Sequence, residues 1–116
     1  MDGRDAVRIY VSADMEGVGG IVLREQVRRG EAFYDEGRRL YTREVNAVTD
    51  ALFACGADQV IVKDGHGGGL NLILEELDER ALYAVGATPM GRRFPGLDGG
   101  LAGLEGGVAP GPDGWA

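Results

Sequence analysis

Ile9-Tyr-Val-Ser-Ala-Asp-Met-Glu-Gly-Val-Gly-Gly20 decides how the rest of the chain is read. Val7, Ile9 and Val11 alternate with Arg8, Tyr10 and Ser12, which predicts a strand over Val7 to Ala13. The alternation stops at Asp14, and a loop runs from Asp14 to Gly20. Asp14 and Glu16 therefore stand where the strand ends. Side chains two apart in an extended segment point the same way, so these carboxylates can converge on one point. Held that close, two anions repel each other unless a proton or a cation lies between them. A metal ion is the simplest way to meet that requirement.

Outward from this stretch, Ile21 to Phe33 is charged and weakly patterned, with Gln26 to Gly30 expected to be irregular. A helix is predicted from Tyr34 to Cys55. Tyr41, Val45, Val48 and Leu52 follow steps of four, three and four, and Ala47 and Ala51 widen the stripe. Asp35 and Glu36 favour the dipole of its first turn, and Gly56 suits the position just past its end. Gln59-Val-Ile-Val-Lys63 is short and apolar enough for a buried parallel strand. Strand, helix and strand make a βαβ unit with an expected right-handed crossover.

The second strand repeats the logic of the first. Asp64-Gly-His-Gly-Gly-Gly69 puts a carboxylate and the chain's single histidine at a strand end followed by glycine. Parallel strands present their carboxyl ends on one edge, where open α/β sheets bind ligands. Topology thus gathers Asp14, Glu16, Asp64 and His66. Beyond them, Leu70, Ile73, Leu74 and Leu77 predict a short helix, and Ala81 to Val85 a third strand. The expected fold is α/β, a short parallel sheet with βαβ crossover helices, over residues 7–95. Met1 to Ala6 is expected to be a disordered leader. The segment 96–116 holds eight of the 21 glycines and two of the four prolines, which predicts a disordered or loosely draped tail.

The totals narrow the function classes. A length of 116 residues suits one domain with a real core. Nineteen acids against twelve bases give a net charge of −7, which argues against nucleic-acid or anionic-membrane partners. One cysteine, Cys55, excludes an intramolecular disulfide, and it reads as a small buried residue near the helix end. No apolar run approaches the length of a membrane span and no signal-peptide core is visible, so a cytoplasmic location is expected. Arg38, Arg43, Glu44 and Asn46 on the helix are expected to face solvent rather than a substrate.

Each candidate residue also has an ordinary reading. Asp14 and Glu16 can cap or form turns, His66 can be a turn residue, and Asp64 can be an N-cap or a partner that orients His66. The glycines of Gly17-Val-Gly-Gly20 lack the spacing of a dinucleotide fingerprint, and carboxylates stand where a phosphate would go. Gly65 to Gly69 lacks the lysine and hydroxyl residue of a phosphate loop. Two acidic clusters at successive parallel strand ends favour a metal, and oxygen donors with imidazole suit zinc, manganese or a similar ion.

Tyr10-Val-Ser-Ala-Asp-Met-Glu-Gly-Val-Gly-Gly20 closely resembles the N-terminal signature of the D-aminopeptidase family of metallopeptidases, family M55. The resemblance continues through Glu25-Gln-Val27, Tyr34-Asp-Glu-Gly-Arg-Arg-Leu40, Thr42-Arg-Glu-Val-Asn46, Asp64-Gly-His66, Asn71-Leu72 and Glu75-Glu-Leu77. Pro89-Met-Gly91 and Gly96-Leu-Asp98 are similar to the segment before the family's next core strand. The resemblance implies a two-zinc hydrolase that removes N-terminal D-amino acids from short peptides and assembles as a large cytoplasmic homo-oligomer. It implies metal ligation by Asp14, shared between ions, by Glu16 on one ion and by His66 on the other. Asp64 matches a position beside a ligand.

The sequence also departs from the family pattern. The family's further glutamate ligand and catalytic histidine have no counterpart, since His66 is the chain's single histidine. Glycine and proline stand where the next apolar strand is expected, as a truncated or frame-shifted reading of a longer gene would produce. One zinc or none is expected here. The activity expected is a zinc-dependent aminopeptidase type, with this short chain inactive alone. The alternative is a non-catalytic partial subunit or a small metal- or anion-binding module.

Overall fold

The computed structural model describes residues 5–87 and the backbone of 101–105. Strand β1 spans Arg8–Ala13, helix α1 Tyr34–Ala54, β2 Gln59–Asp64, β3 Leu82–Ala84 and β4 Leu101–Glu105. The strands form one parallel sheet in the order β3-β2-β1-β4. Arg8 to Ala13 pair with Gln59 to Asp64, so Ala13 lies beside Asp64 at the carboxyl edge. Tyr10, Val11, Ser12 and Ala13 are all buried, as expected of a strand with neighbours on both sides.

β4 corrects the reading of the tail. Residues 101–105 pair with Arg8 to Ser12, so this part of the glycine-rich segment continues the sheet. A main-chain ladder needs no large side chains, and composition could not reveal it. The remainder of the expected tail, 96–100 and 106–116, and residues 1–4 of the expected leader lie outside the described residues.

Helix α1 follows from its acidic first turn, its C-terminal cap and its buried stripe. Asp35 and Glu36 occupy the first turn. At the other end Gly56 takes a positive φ, its N–H reaches the Phe53 carbonyl, and the Ala57 N–H reaches that of Leu52. That paired closure satisfies the last carbonyls. The buried face is Tyr34, Gly37, Tyr41, Thr42, Val45 and Thr49. Val48 and Leu52 are half-buried, whereas Ala47 and Ala51 are exposed, so the stripe runs over the two threonines rather than the alanines. Tyr41 and Val45 join Val11, Met15, Val60 and Val62 in one apolar cluster, each large side chain adding roughly 1.5–3 kcal/mol through burial. Cys55 is exposed, contrary to expectation, because it stands at the C-cap, off the buried stripe.

The predicted helix near Leu70 is only a 3-10 turn, Leu74–Glu76. Its upstream N–H groups are already engaged: Asn71 and Leu72 donate to Asp64, and Ile73 donates to Thr42 Oγ1. Ile73 before the turn and Leu77 after it take extended backbone angles, which bound it on both sides. Of the residues expected to face solvent, Arg38 and Asn46 are half-buried clasps, while Glu44 is exposed as expected and still holds a loop. Arg38 donates to the carbonyls of Asn71 and Leu72, Asn46 bonds the Glu76 carbonyl and the Asp78 N–H, and Glu44 accepts from the Gly19 N–H. No described helix is long and apolar enough to cross a membrane.

Candidate metal centre

The chain order makes a crevice before any side chain is considered. β1, β2 and β3 step in one direction across the sheet, and β4 returns to the other side of β1. Such a reversal beside β1 opens space at the carboxyl ends of the strands. Asp14 follows β1 directly, and His66 follows β2 by two residues.

Asp14, Glu16 and His66 meet there, each offering one donor atom within 4.8 Å of the others. His66 Nδ1 lies 2.9 Å from Asp14 Oδ1 and 3.1 Å from Glu16 Oε1. Asp14 is buried, His66 partly buried and Glu16 about half exposed. The Met15 N–H also donates to Asp14 Oδ1, at 2.7 Å. His66 Nε2 donates to the Val27 carbonyl at 2.7 Å. That bond assigns the second nitrogen, Nδ1, to the side of the carboxylates, the arrangement usual for an imidazole that holds a metal.

The electrostatics match this geometry. Burial alone would lower the His66 pKa. The hydrogen bonds to Asp14 and the Val27 carbonyl, with the charges of Glu16 and Asp14, push it up to about 9. Burial and then the hydrogen bond with Asp14 raise the Glu16 carboxyl, partly offset by a backbone bond and by His66. The cluster is a place where anions gather and a positive charge is favoured, whether that charge is a proton or a cation. Two carboxylates and an imidazole are also a donor set that zinc accepts.

Asp64 was expected to join the cluster or to orient the imidazole. It does neither directly. Its carboxylate is fully buried beneath the loop, where it accepts from Tyr41 Oη at 3.1 Å, the Asn71 N–H at 2.7 Å and the Leu72 N–H at 2.9 Å. It reaches His66 only through the main-chain N–H, at 3.4 Å.

Gln26 and Val27 are parts of the site that residue chemistry alone did not single out. Gln26 is buried; its Oε1 accepts the N–H groups of Val22 and Leu23, and its Nε2 donates to the Gly20 carbonyl and to Glu36. This stitching fixes the loop that carries the Val27 carbonyl. Gly37 of α1 permits the loop to sit so low, since a Cβ there would lie 1.8 Å from the Gln26 carbonyl oxygen. The available signal was Glu25-Gln-Val27 as a matching motif; the role itself belongs to a main-chain atom. Beside His66 opens a cleft of about 620 Å³, bordered by Val27, Arg28, Glu31 and Leu70.

Known proteins carry the same arrangement of chain. A family model described as D-aminopeptidase, of peptidase family M55, matches residues 7–104. The D-aminopeptidase of Bacillus subtilis (strain 168) is 33% identical over 92 residues, covering 79% of this chain and 34% of that protein. A solved structure, the Zn-dependent D-aminopeptidase DppA from Bacillus subtilis, a self-compartmentalizing protease, matches with a TM-score of 0.84 at 31% identity. That match covers 88% of this chain and 38% of the other, so the chain spans little more than a third of the length of these relatives. With the parallel sheet and the match over residues 7–104 in agreement, the chain belongs to the D-aminopeptidase family.

Proposed function

We propose that this chain holds zinc through Asp14, Glu16 and His66 as part of an aminopeptidase-type hydrolase acting on N-terminal D-amino acids of short peptides. The observation that carries the reading is the convergence of those donors within 4.8 Å at the sheet's carboxyl edge. The Val27 carbonyl strengthens it by occupying the other imidazole nitrogen. Zinc, when bound, supplies Lewis-acid polarisation of the scissile carbonyl and a water of lowered pKa. Asp14 and Glu16 contribute the negative charge that compensates the cation, and His66 a neutral nitrogen. The cleft offers Arg28, Arg29 and Glu31 at its border, groups of both signs for the two charged ends of a short peptide. The self-compartmentalising relative supports a homo-oligomeric assembly, and a cytoplasmic location agrees with the single cysteine.

Elemental analysis after stripping and reloading tests the metal. The expected result is near-stoichiometric zinc that falls sharply in Asp14→Ala; zinc near zero in the folded wild-type chain overturns the reading. Hydrolysis of a D-alanyl dipeptide, with and without chelator, tests the chemistry. Chelator-sensitive release of D-alanine shows a working peptidase; zinc without turnover is the result expected of this short chain alone and leaves it a metal-holding part.

A further inference from the structure

The imidazole of His66 is carried by a segment ill suited to holding anything still. Glycine flanks it at Gly65, Gly67, Gly68 and Gly69, and such a run loses much conformational freedom when ordered. The ring's own contacts are Asp14, Glu16 and the Val27 carbonyl. Two of these are the groups with which the ring must share a cation, so they cannot also set its position independently. An anchor on the main chain is required.

Asn71 supplies one. Its Nδ2 donates to the His66 carbonyl at 2.6 Å and to Asp64 Oδ1 at 3.1 Å. Its Oδ1 accepts from the Tyr34 hydroxyl, its N–H donates to Asp64 Oδ2, and its carbonyl accepts from Arg38. Both amide protons, the amide oxygen and both main-chain groups are therefore engaged, and the residue is buried. The amide orientation is forced: the NH2 faces a carboxylate and a carbonyl, and the oxygen faces a hydroxyl. An aspartate here would set a second anion against Asp64, and an apolar side chain would free the His66 carbonyl. Tyr34 and Asp64 tie this amide to α1 and to the end of β2, the two rigid elements beneath the loop.

We propose that Asn71 is a positioning residue for the metal centre, its side-chain amide fixing the His66 main chain where the imidazole reaches Asp14 and Glu16. The proposal rests on the reading of those three residues as metal ligands, and it goes beyond it by assigning the affinity of the site to a residue that touches no metal. Groups that orient a ligand without contacting the ion typically change metal affinity by about 10–100-fold when removed.

Cobalt(II) titration followed by its visible spectrum tests this on the full chain, at a temperature where each variant is folded by circular dichroism. Asn71→Ala is expected to weaken cobalt binding by about 10-fold or more and to alter the spectrum. Tyr34→Phe, which frees the far end of the same amide, is expected to shift affinity the same way by less. Val60→Ala, a core truncation remote from the loop, separates stability from positioning: it should lower Tm and leave affinity and spectrum unchanged. Wild-type cobalt affinity and spectrum in Asn71→Ala would overturn the proposal while leaving the metal reading intact. A wild-type chain that binds no cobalt overturns the metal reading, and this inference with it.

Discussion

Lys63 shows how a single residue at this edge carries a pH signature of its own. Its ammonium is buried, donating to the carbonyls of Asp64 at 2.8 Å and Gly86 at 3.2 Å. Burial lowers its pKa from 10.5, and the nearby Asp64 carboxylate offsets only part of that. The folded chain therefore releases this proton before the unfolded chain does. Between the lowered folded pKa and 10.5 the unfolded state binds more protons, so this group's contribution to stability rises with pH. Urea unfolding at a series of mildly alkaline pH values should show that climb in the wild type and not in Lys63→Met. A loss from tyrosine ionisation at higher pH is common to both, since burial raises Tyr10 and Tyr83 to about 12.

Among the elements, α1 depends on a missing side chain. Replacing glycine by alanine in an ordinary helix interior stabilises it by roughly 0.5–1 kcal/mol. At Gly37 the sign reverses, because the new Cβ meets the Gln26 carbonyl at 1.8 Å and backbone cannot move aside as a flexible side chain would. Gly37→Ala should destabilise the chain by about 1–3 kcal/mol, the usual cost of overpacking, read as a lower denaturation midpoint at unchanged slope. A gain in stability would show that the loop at Gln26 is not seated on α1 as described.

The elements also show what the sequence made legible. The periodic stripe around Tyr41 announces α1 because side-chain burial organises it; the alternation of Val7 to Val11 announces β1 as a strand, although Val7 is exposed and Tyr10 to Ala13 are buried without alternating. Asp14, Glu16 and His66 were legible for a related reason: their chemistry is in their side chains, and parallel topology does the gathering. The spacing from Leu70 to Leu77 predicts a helix where only a turn forms, because Ile73 and Leu77 on either side of it are extended and Ile73 is held to Thr42, distant in sequence. β4 is not legible because the pairing of Leu101-Ala-Gly-Leu-Glu105 with β1 is a main-chain ladder, which glycine-rich composition does not announce. The Val27 carbonyl and the amide of Asn71 act on or through main chain, which leaves no mark in residue chemistry.

For the whole molecule, a ligand held only by the native arrangement adds its binding energy to folding. Asp14 and His66 are separated by α1 and β2, so an unfolded chain does not present them together. Zinc at a hundred times its Kd should stabilise the fold by about 2.7 kcal/mol, which for a domain of this size raises Tm by roughly 10–20 °C. Differential scanning calorimetry with zinc, then with excess chelator, measures the rise and its reversal. No change in Tm in a folded chain would mean that the three donors do not act as one site.

The alignment of Ala13 with Asp64 has a bearing on how the chain reaches this state. Sliding β2 past β1 by one residue would turn every side chain to the opposite face, and sliding it by two would carry His66 about 6–7 Å along the sheet. Either error separates the imidazole from its carboxylates. An ion held by the three donors as proposed would work as a gauge of strand alignment, rewarding the correctly paired chain and no shifted one. Refolding in the presence of metal would then become a form of proofreading, with misaligned sheets left to unpair and try again.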